Sequence, residues 1–205
     1  MTNILDTIET RTITIAAGVH LNLVGAMSAG WGEHRTLTVN LAGDGASLEC
    51  IFALIGDCDT AFPFDIVVNH QAVHTKSAVY IRSVLNGESS VHSEGRMCIT
   101  SHAKSSDTYF SHHALLVSKG ARAKIIPSLE IENDDVRAGH AVTVGRVDED
   151  VLFYCAARGV DRQEATHLVT RGFLLADCTH IRDAEIRKLL EHKIDSAIHP
   201  THAKP

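Results

Sequence analysis

The chain has 205 residues and a mass of 22.2 kDa, enough for one domain with a sizeable core and perhaps a small appendage. At 44% hydrophobic and 21% charged residues, its composition excludes disorder, a collagen-like fibre and a low-complexity polymer. A net charge of −6 makes non-specific nucleic-acid binding a poor reading, because nothing supplies the cations that neutralise phosphates. Fourteen histidines stand beside only four prolines and ten aromatics, which raises metal coordination or titration near neutral pH as candidate chemistry.

The opening MTNILDTIETR places Asp6 and Glu9 where a secretory leader needs positive charge and then an apolar stretch, so no leader is expected. The next 21 residues, Thr12 to Gly32, contain no Asp, Glu, Lys or Arg, the length of a membrane span. Their polar residues and glycines argue against one. Ile13, Ile15, Ala17, Val19, Leu21 and Leu23 fall on every second position, the period of a strand with one buried face. A soluble, cytoplasmic chain is expected.

Short alternating segments then follow one another to about residue 145: Leu37–Leu41, Ser47–Ile55, Asp65–Val68, Ala78–Ile81, Met97–Ile99, Leu115–Val117, Ala123–Ile126, Leu129–Ile131 and Val142–Val144. No helical period persists through them, so a mainly β region is predicted. A sandwich or barrel is the common solution. Two-residue hairpin signals such as Asp44-Gly45 are, however, nearly absent between the apolar runs. Lys76–Tyr80 is loosely similar to Ser105–Tyr109, and Leu85–Gly87 to Ser118–Gly120. Recurring strands with small-residue corners suit a solenoid equally well.

After residue 148 the pattern changes. Asp161 and Glu164 make a capping box, and Ala165, Leu168, Val169 and Phe173 follow on one helical face. Ile186, Leu189, Leu190, Ile194 and Ile198 mark a further helix. These stripes need a surface to cover, either the β body or another protein. The boundaries read as a β core over 1–145 and a helical unit over 146–205. The cysteines Cys50, Cys58, Cys98, Cys155 and Cys178 are odd in number and contain no C-x-x-C pair, which argues against a local metal motif or a disulfide framework.

Several stretches in this order resemble the SufB/SufD family of the SUF iron–sulfur assembly system. They are Leu129–Val136, Gly139–Gly145, Asp148–Tyr154, Ala157–Asp161, Glu164-Ala165 and Arg171–Phe173, with His74–Ser77, Arg82–Leu85 and Leu115–Ser118 upstream. The resemblance implies a right-handed parallel β-helix followed by a small α-helical C-terminal domain that docks an ABC-type ATPase, SufC. It also implies a second SufB/SufD-like chain, or a second copy of this one, as partner, and no membrane or nucleic acid. Partner-binding residues expected from it are Leu152, Phe153, Tyr154, Arg158 and Gly159 in the first helical stretch. Leu168, Arg171, Gly172 and Phe173 are expected in the second, and Ile186 and Leu190 in the third. Aligned on the His140 motif, the functional cysteine of the SufB half falls at His112 and its functional glutamate at Ala141, whereas His140 matches the histidine of the SufD half. The chain thus resembles SufD in a short form without the family's N-terminal helical region.

Cluster assembly needs ligands that hold iron and sulfide yet let them go, and imidazole or carboxylate is more labile than thiolate. Candidate ligands for a transient iron–sulfur cluster are His140, His112, His113 and Cys98, with the acidic run Glu130, Glu132, Asp134 and Asp135. His70, His92 and His112 lie 22 and 20 residues apart; a coil of that length stacks them into a ladder. The sequence contains no G-x-x-x-x-G-K-[ST] phosphate loop, so ATP hydrolysis must come from a partner. A non-enzymatic assembly scaffold is expected. The rivals are a purely architectural subunit without metal contact, and a histidine-metal hydrolase on the same fold.

Overall fold

The computed structural model describes residues 1–198. The strands are β1 (Thr2–Leu5), β2 (Arg11–Ile15), β3 (His20–Met27), β4 (Arg35–Leu41), β5 (Ser47–Gly56), β6 (Ala61–His70), β7 (Lys76–Leu85), β8 (Ser90–Ile99), β9 (Ser106–Leu116), β10 (Arg122–Ile131) and β11 (Val136–Arg146). Odd-numbered strands form one sheet in the order β1-β3-β5-β7-β9-β11; even-numbered strands form the other, β10-β8-β6-β4-β2. Every ladder is parallel. The chain therefore climbs from one sheet to the other and back, as a parallel β-helix of about five turns.

The alternating pattern dictates this. In β6 the side chains Phe62, Phe64, Ile66 and Val68 point inward and are buried, while their neighbours are half-exposed. Between the sheets lies a core that includes Phe52, Phe62, Phe64 and Phe110, and full burial of each such side chain stabilises by about 1.5–3 kcal/mol. Trp31 packs edge-on against Phe62 at 5.1 Å and Phe64 at 6.2 Å.

Register sets the coil length. Ser47 pairs with Lys76, Lys76 with Asp107, and Ser106 with Val136, so one coil takes about 30 residues. That overturns the histidine ladder expected from a spacing of 20–22. His70 pairs with Leu41 and Ile99, His92 with Pro63 and Lys124, and His112 with Ile81 and Val142. The self-similar segments do lie on neighbouring coils, but out of register: Tyr80 faces Ser111, and Tyr109 faces Ala78.

Two strand boundaries also differ from expectation. The alternation from Ile13 to Leu23 crosses a corner between β2 and β3, where Gly18 takes φ +67 and Val19 is exposed. Ala123–Ile126 and Leu129–Ile131 are one strand, β10, continuous through Pro127. Proline is tolerated there because β10 is an edge strand, where a missing N–H need not break the ladder.

Helices follow: α1 (Glu149–Ala156), α2 (Arg162–Leu175), a 3-10 turn (Ala176–His180) and α3 (Ala184–Ile198). The Asp161 side chain accepts from the Glu164 backbone N–H at 2.9 Å, capping α2. The helices cover the outer face of the odd-stranded sheet: Leu174, Cys178, Ile181, Leu190 and Ile194 share one buried cluster with Val24, Ile51, Ala53, Ile55, Val84 and Leu115. This explains the unbroken apolar run Cys50–Ile55, which is buried on both faces. Strands end at Arg146 and helices begin at Glu149. The last seven positions of the expected 146–205 unit lie outside the described residues.

Candidate functional site

The inner face of the odd-stranded sheet is built from columns of side chains, one per coil. One column runs Leu23, Cys50, Val79, Phe110 and His140. Its first four members are buried. His140 is exposed, because among the described residues β11 is the terminal strand of its sheet and carries no coil beyond it. The neighbouring column runs Phe52, Ile81, His112 and Val142. Here Val142 covers His112, which is fully buried.

The buried imidazole of His112 is satisfied on both sides. Ser83 Oγ lies 2.7 Å from Nε2 and Ser93 Oγ lies 3.0 Å from Nδ1, with the Phe64 ring 6.2 Å away. Burial, reinforced by nearby His113, pushes its pKa down to about 3. His112 is therefore a neutral, hydrogen-bonded core residue, and binding iron there requires one ring nitrogen to give up its serine contact in the sealed core. His113, the next residue, faces outward. Its Nδ1 lies 2.7 Å from Thr143 Oγ1 on β11. Partial burial and then Arg82 lower its pKa, with Asp177 opposing.

Cys98 belongs to the other sheet, on β8, where its thiol donates to Glu130 Oε2 at 3.4 Å. Burial first, and then the Glu130 carboxylate, raise its pKa to about 11. It is a thiol and not a thiolate at neutral pH, which makes it a weak nucleophile and a poor metal ligand. The four residues expected to hold a cluster are thus divided. His140 and His112 share the inner face on adjacent coils, His113 lies on the opposite face of the same strand, and Cys98 is on the second sheet. Among the described residues no group of three or more His, Cys, Asp or Glu side chains is placed to hold a metal ion.

The helical residues expected to bind a partner divide by burial. Leu152 and Leu190 are buried, and Phe173 and Ile186 pack against the cluster beneath the helices. Arg171 is engaged with Asp195, through Nε at 2.6 Å and Nη2 at 3.1 Å. Phe153, Tyr154 and Leu168 remain exposed, at 76%, 60% and 52%. Arg158 lies 5.1 Å over the Tyr154 ring, Gly159 turns the chain at φ +85, and Gly172 is exposed on α2. Leu168, grouped with Ala165, Val169 and Phe173 on one helical face, faces solvent, whereas Ala165, Thr170 and Leu174 are buried in the helix.

Sequence reasoning missed the clamp that joins helices to sheet. Arg82 on β7 donates to Asp177 in the 3-10 turn through Nε at 2.7 Å and Nη2 at 3.2 Å, and its guanidinium sits 4.9 Å over the Phe173 ring. Two residues away, Tyr80 stacks on His180 at 4.3 Å with the rings nearly parallel. The partners are about 100 residues apart in the chain, so no local pattern announces them. Also missed was a buried network at the corner after β6. Fully buried His70 meets Thr75 Oγ1 at Nδ1 and Ser77 Oγ at Nε2, both at 2.8 Å.

Comparison with known proteins agrees with this geometry. Residues 6–173 match the family model described as "SUF system FeS cluster assembly, SufBD core domain". An iron-sulfur cluster assembly SufBD family protein of Mycobacterium tuberculosis strain H37Rv is 31% identical over 169 residues, covering 77% of this chain and 43% of the relative. The iron-sulfur cluster assembly protein SufD of Bacillus subtilis strain 168 is 29% identical over 161 residues, covering 78% of this chain and 37% of the relative. This chain thus spans less than half the length of these relatives. No helix among the described residues is long and apolar enough to cross a membrane. With the family model covering most of a parallel β-helix whose terminal strand carries the Gly139–Gly145 motif, the chain belongs to the SufBD core-domain family of the SUF iron–sulfur assembly system.

Proposed function

We propose that this chain is a non-enzymatic, cytoplasmic scaffold component of a SUF-type iron–sulfur assembly complex, working with an ABC-type ATPase of the SufC kind. The observation that carries the reading is a SufBD core match on a β-helix whose last strand leaves His140 exposed above a buried column. The open edges of β10 and β11 offer unpaired strand groups and the exposed side chains Ile126, Ile131 and Val144. They suit a second SufB/SufD-like chain or a second copy of this one. Iron or a nascent cluster is cargo at that junction: His140 supplies one ligand and the partner chain the rest. Exposed Phe153, Tyr154 and Leu168 receive the ATPase.

Anaerobic co-purification from the native host, with mass identification of bound proteins and iron and sulfide assays, tests the reading. An ABC-type ATPase and a second SufB/SufD-like chain are expected, with iron and sulfide in the complex. A complex without any ATPase sinks it. The architectural alternative is favoured by one observation: of the four candidate ligands, His112 is sealed and Cys98 is held as a thiol. Full cluster assembly in a complex carrying His140→Ala would leave the structural role alone.

A further inference from the structure

We propose that the 3-10 turn Ala176–His180 positions the terminal strand β11, and with it His140, through two rungs of side chains laid across the outer face of the odd-stranded sheet. The first rung starts at Asp177. Its carboxylate takes two hydrogen bonds from Arg82 on β7. Arg82 is in register with His113 on β9, which is in register with Thr143 on β11; the His113 ring nitrogen Nδ1 lies 2.7 Å from the Thr143 hydroxyl. The second rung starts at His180, which stacks on Tyr80 of β7. Tyr80 lies 5.9 Å from the Tyr109 ring on β9, and that ring lies against Gly139 of β11, where a Cβ would sit 3.4 Å from Tyr109 Cδ2.

Both rungs thus begin in one turn, cross the same strands and end on β11 at Gly139 and Thr143. His140 lies between these two ends, on the opposite face of its strand. The Asp177–Arg82 pair is largely shielded, at 13% and 18% side-chain exposure, so water screens it weakly. β11 has a strand neighbour on one side only, which leaves it more dependent than inner strands on such contacts. Asp177, Arg82, His113 and Thr143 are positioning residues, since none of them lies on the face that carries His140. The functional consequence rests on the reading that the helices take a partner and that His140 meets iron: a load on the helices moves the turn, and the turn moves β11.

The test uses the chain alone, without ATPase, followed by the His140 ring resonances and by amide exchange at residues 139–143. Asp177→Asn and Thr143→Val are each expected to shift the His140 resonances and to speed that exchange about threefold. The double variant should do no more than the stronger single one. Asp6→Asn, which breaks the separate tie between Asp6 and Lys193 of α3, should change neither readout. His180→Ala perturbs the second rung from an exposed position and keeps the test alive should Asp177→Asn fail to fold. Additive effects, an unmoved β11 in the Asp177 and His180 variants, or an equal response to Asp6→Asn overturn the proposal. Failure of an ATPase to bind the helices would instead overturn the functional reading and leave these shifts intact.

Discussion

Phe110 and His140 occupy equivalent places on successive coils, one in register with the other across β9 and β11. Phe110 is 1% exposed and belongs to the core, whereas His140 sits on the uncovered rung. The same lateral position is structural in one coil and available for chemistry in the next, solely because the column ends there.

Replacing His140 with alanine should therefore leave stability within about 0.5 kcal/mol of the parent, as for an exposed site without special packing. Iron and sulfide retention by the anaerobically purified complex should fall. Urea unfolding of the chain and metal analysis of the complex separate the two effects.

His112→Ala should behave in the opposite way. It opens a cavity next to Phe64 and leaves the Ser83 and Ser93 hydroxyls buried without their shared partner. The expected cost is about 2–4 kcal/mol, read as a lower urea midpoint with an unchanged slope.

Acid should weaken the fold through two histidines. Burial lowers His70 to about 4 and His112 to about 3, below the ordinary value of 6.5. Above pH 6.5 both are neutral whether folded or unfolded, and neither opposes folding. As pH falls below 6.5 the unfolded chain takes up protons first, and each group removes about 1.4 kcal/mol per pH unit until its folded pKa is reached. Together they should cost about 4 kcal/mol at pH 5, measurable as a fall in unfolding free energy between pH 7 and pH 5. His70→Gln should reduce the slope in that window.

Cys98 should alkylate slowly. With its pKa raised to about 11, its thiolate fraction at pH 7.5 is roughly a hundredfold below that of an ordinary thiol. Mass-resolved iodoacetamide labelling should show this, and Glu130→Gln should speed the reaction. Equal rates for Cys98 and a free thiol standard would contradict the assignment.

Phe153→Ser and Leu168→Ser lie on the exposed side of the helices and should leave the unfolding midpoint nearly unchanged while weakening ATPase capture. Leu190→Ala, inside the cluster shared with the sheet, should cost about 2–4 kcal/mol. A pull-down paired with thermal unfolding distinguishes a docking defect from a folding defect.

Several features are legible in the sequence. The alternation that produces β4 to β9 is local, as is the Asp161 cap, and the Gly139–Gly145 motif identified the family. Coil length was not legible. Residues 13–23 keep their period of two through a corner, so the strand break leaves no gap in the pattern. The fate of His112 was equally hidden, because its partners Ser83 and Ser93 come from strands 29 and 19 residues away. Arg82 and Asp177 meet only once the helices fold back over the sheet. Contacts that depend on coil register lie beyond local sequence patterns, whereas the faces of individual strands do not.

Among the described residues, helices cover the outer surface of one of the two sheets. On β5, substitutions at Ile51, Ala53 and Ile55 must suit neighbours above as well as the strands beside them. On β6 and β8, outward positions such as Val67 and Arg96 answer mainly to water and to adjacent rungs. Evolutionary drift should therefore be lopsided: homologues will diverge fastest along the bare wall of the column and slowest beneath its helical cover.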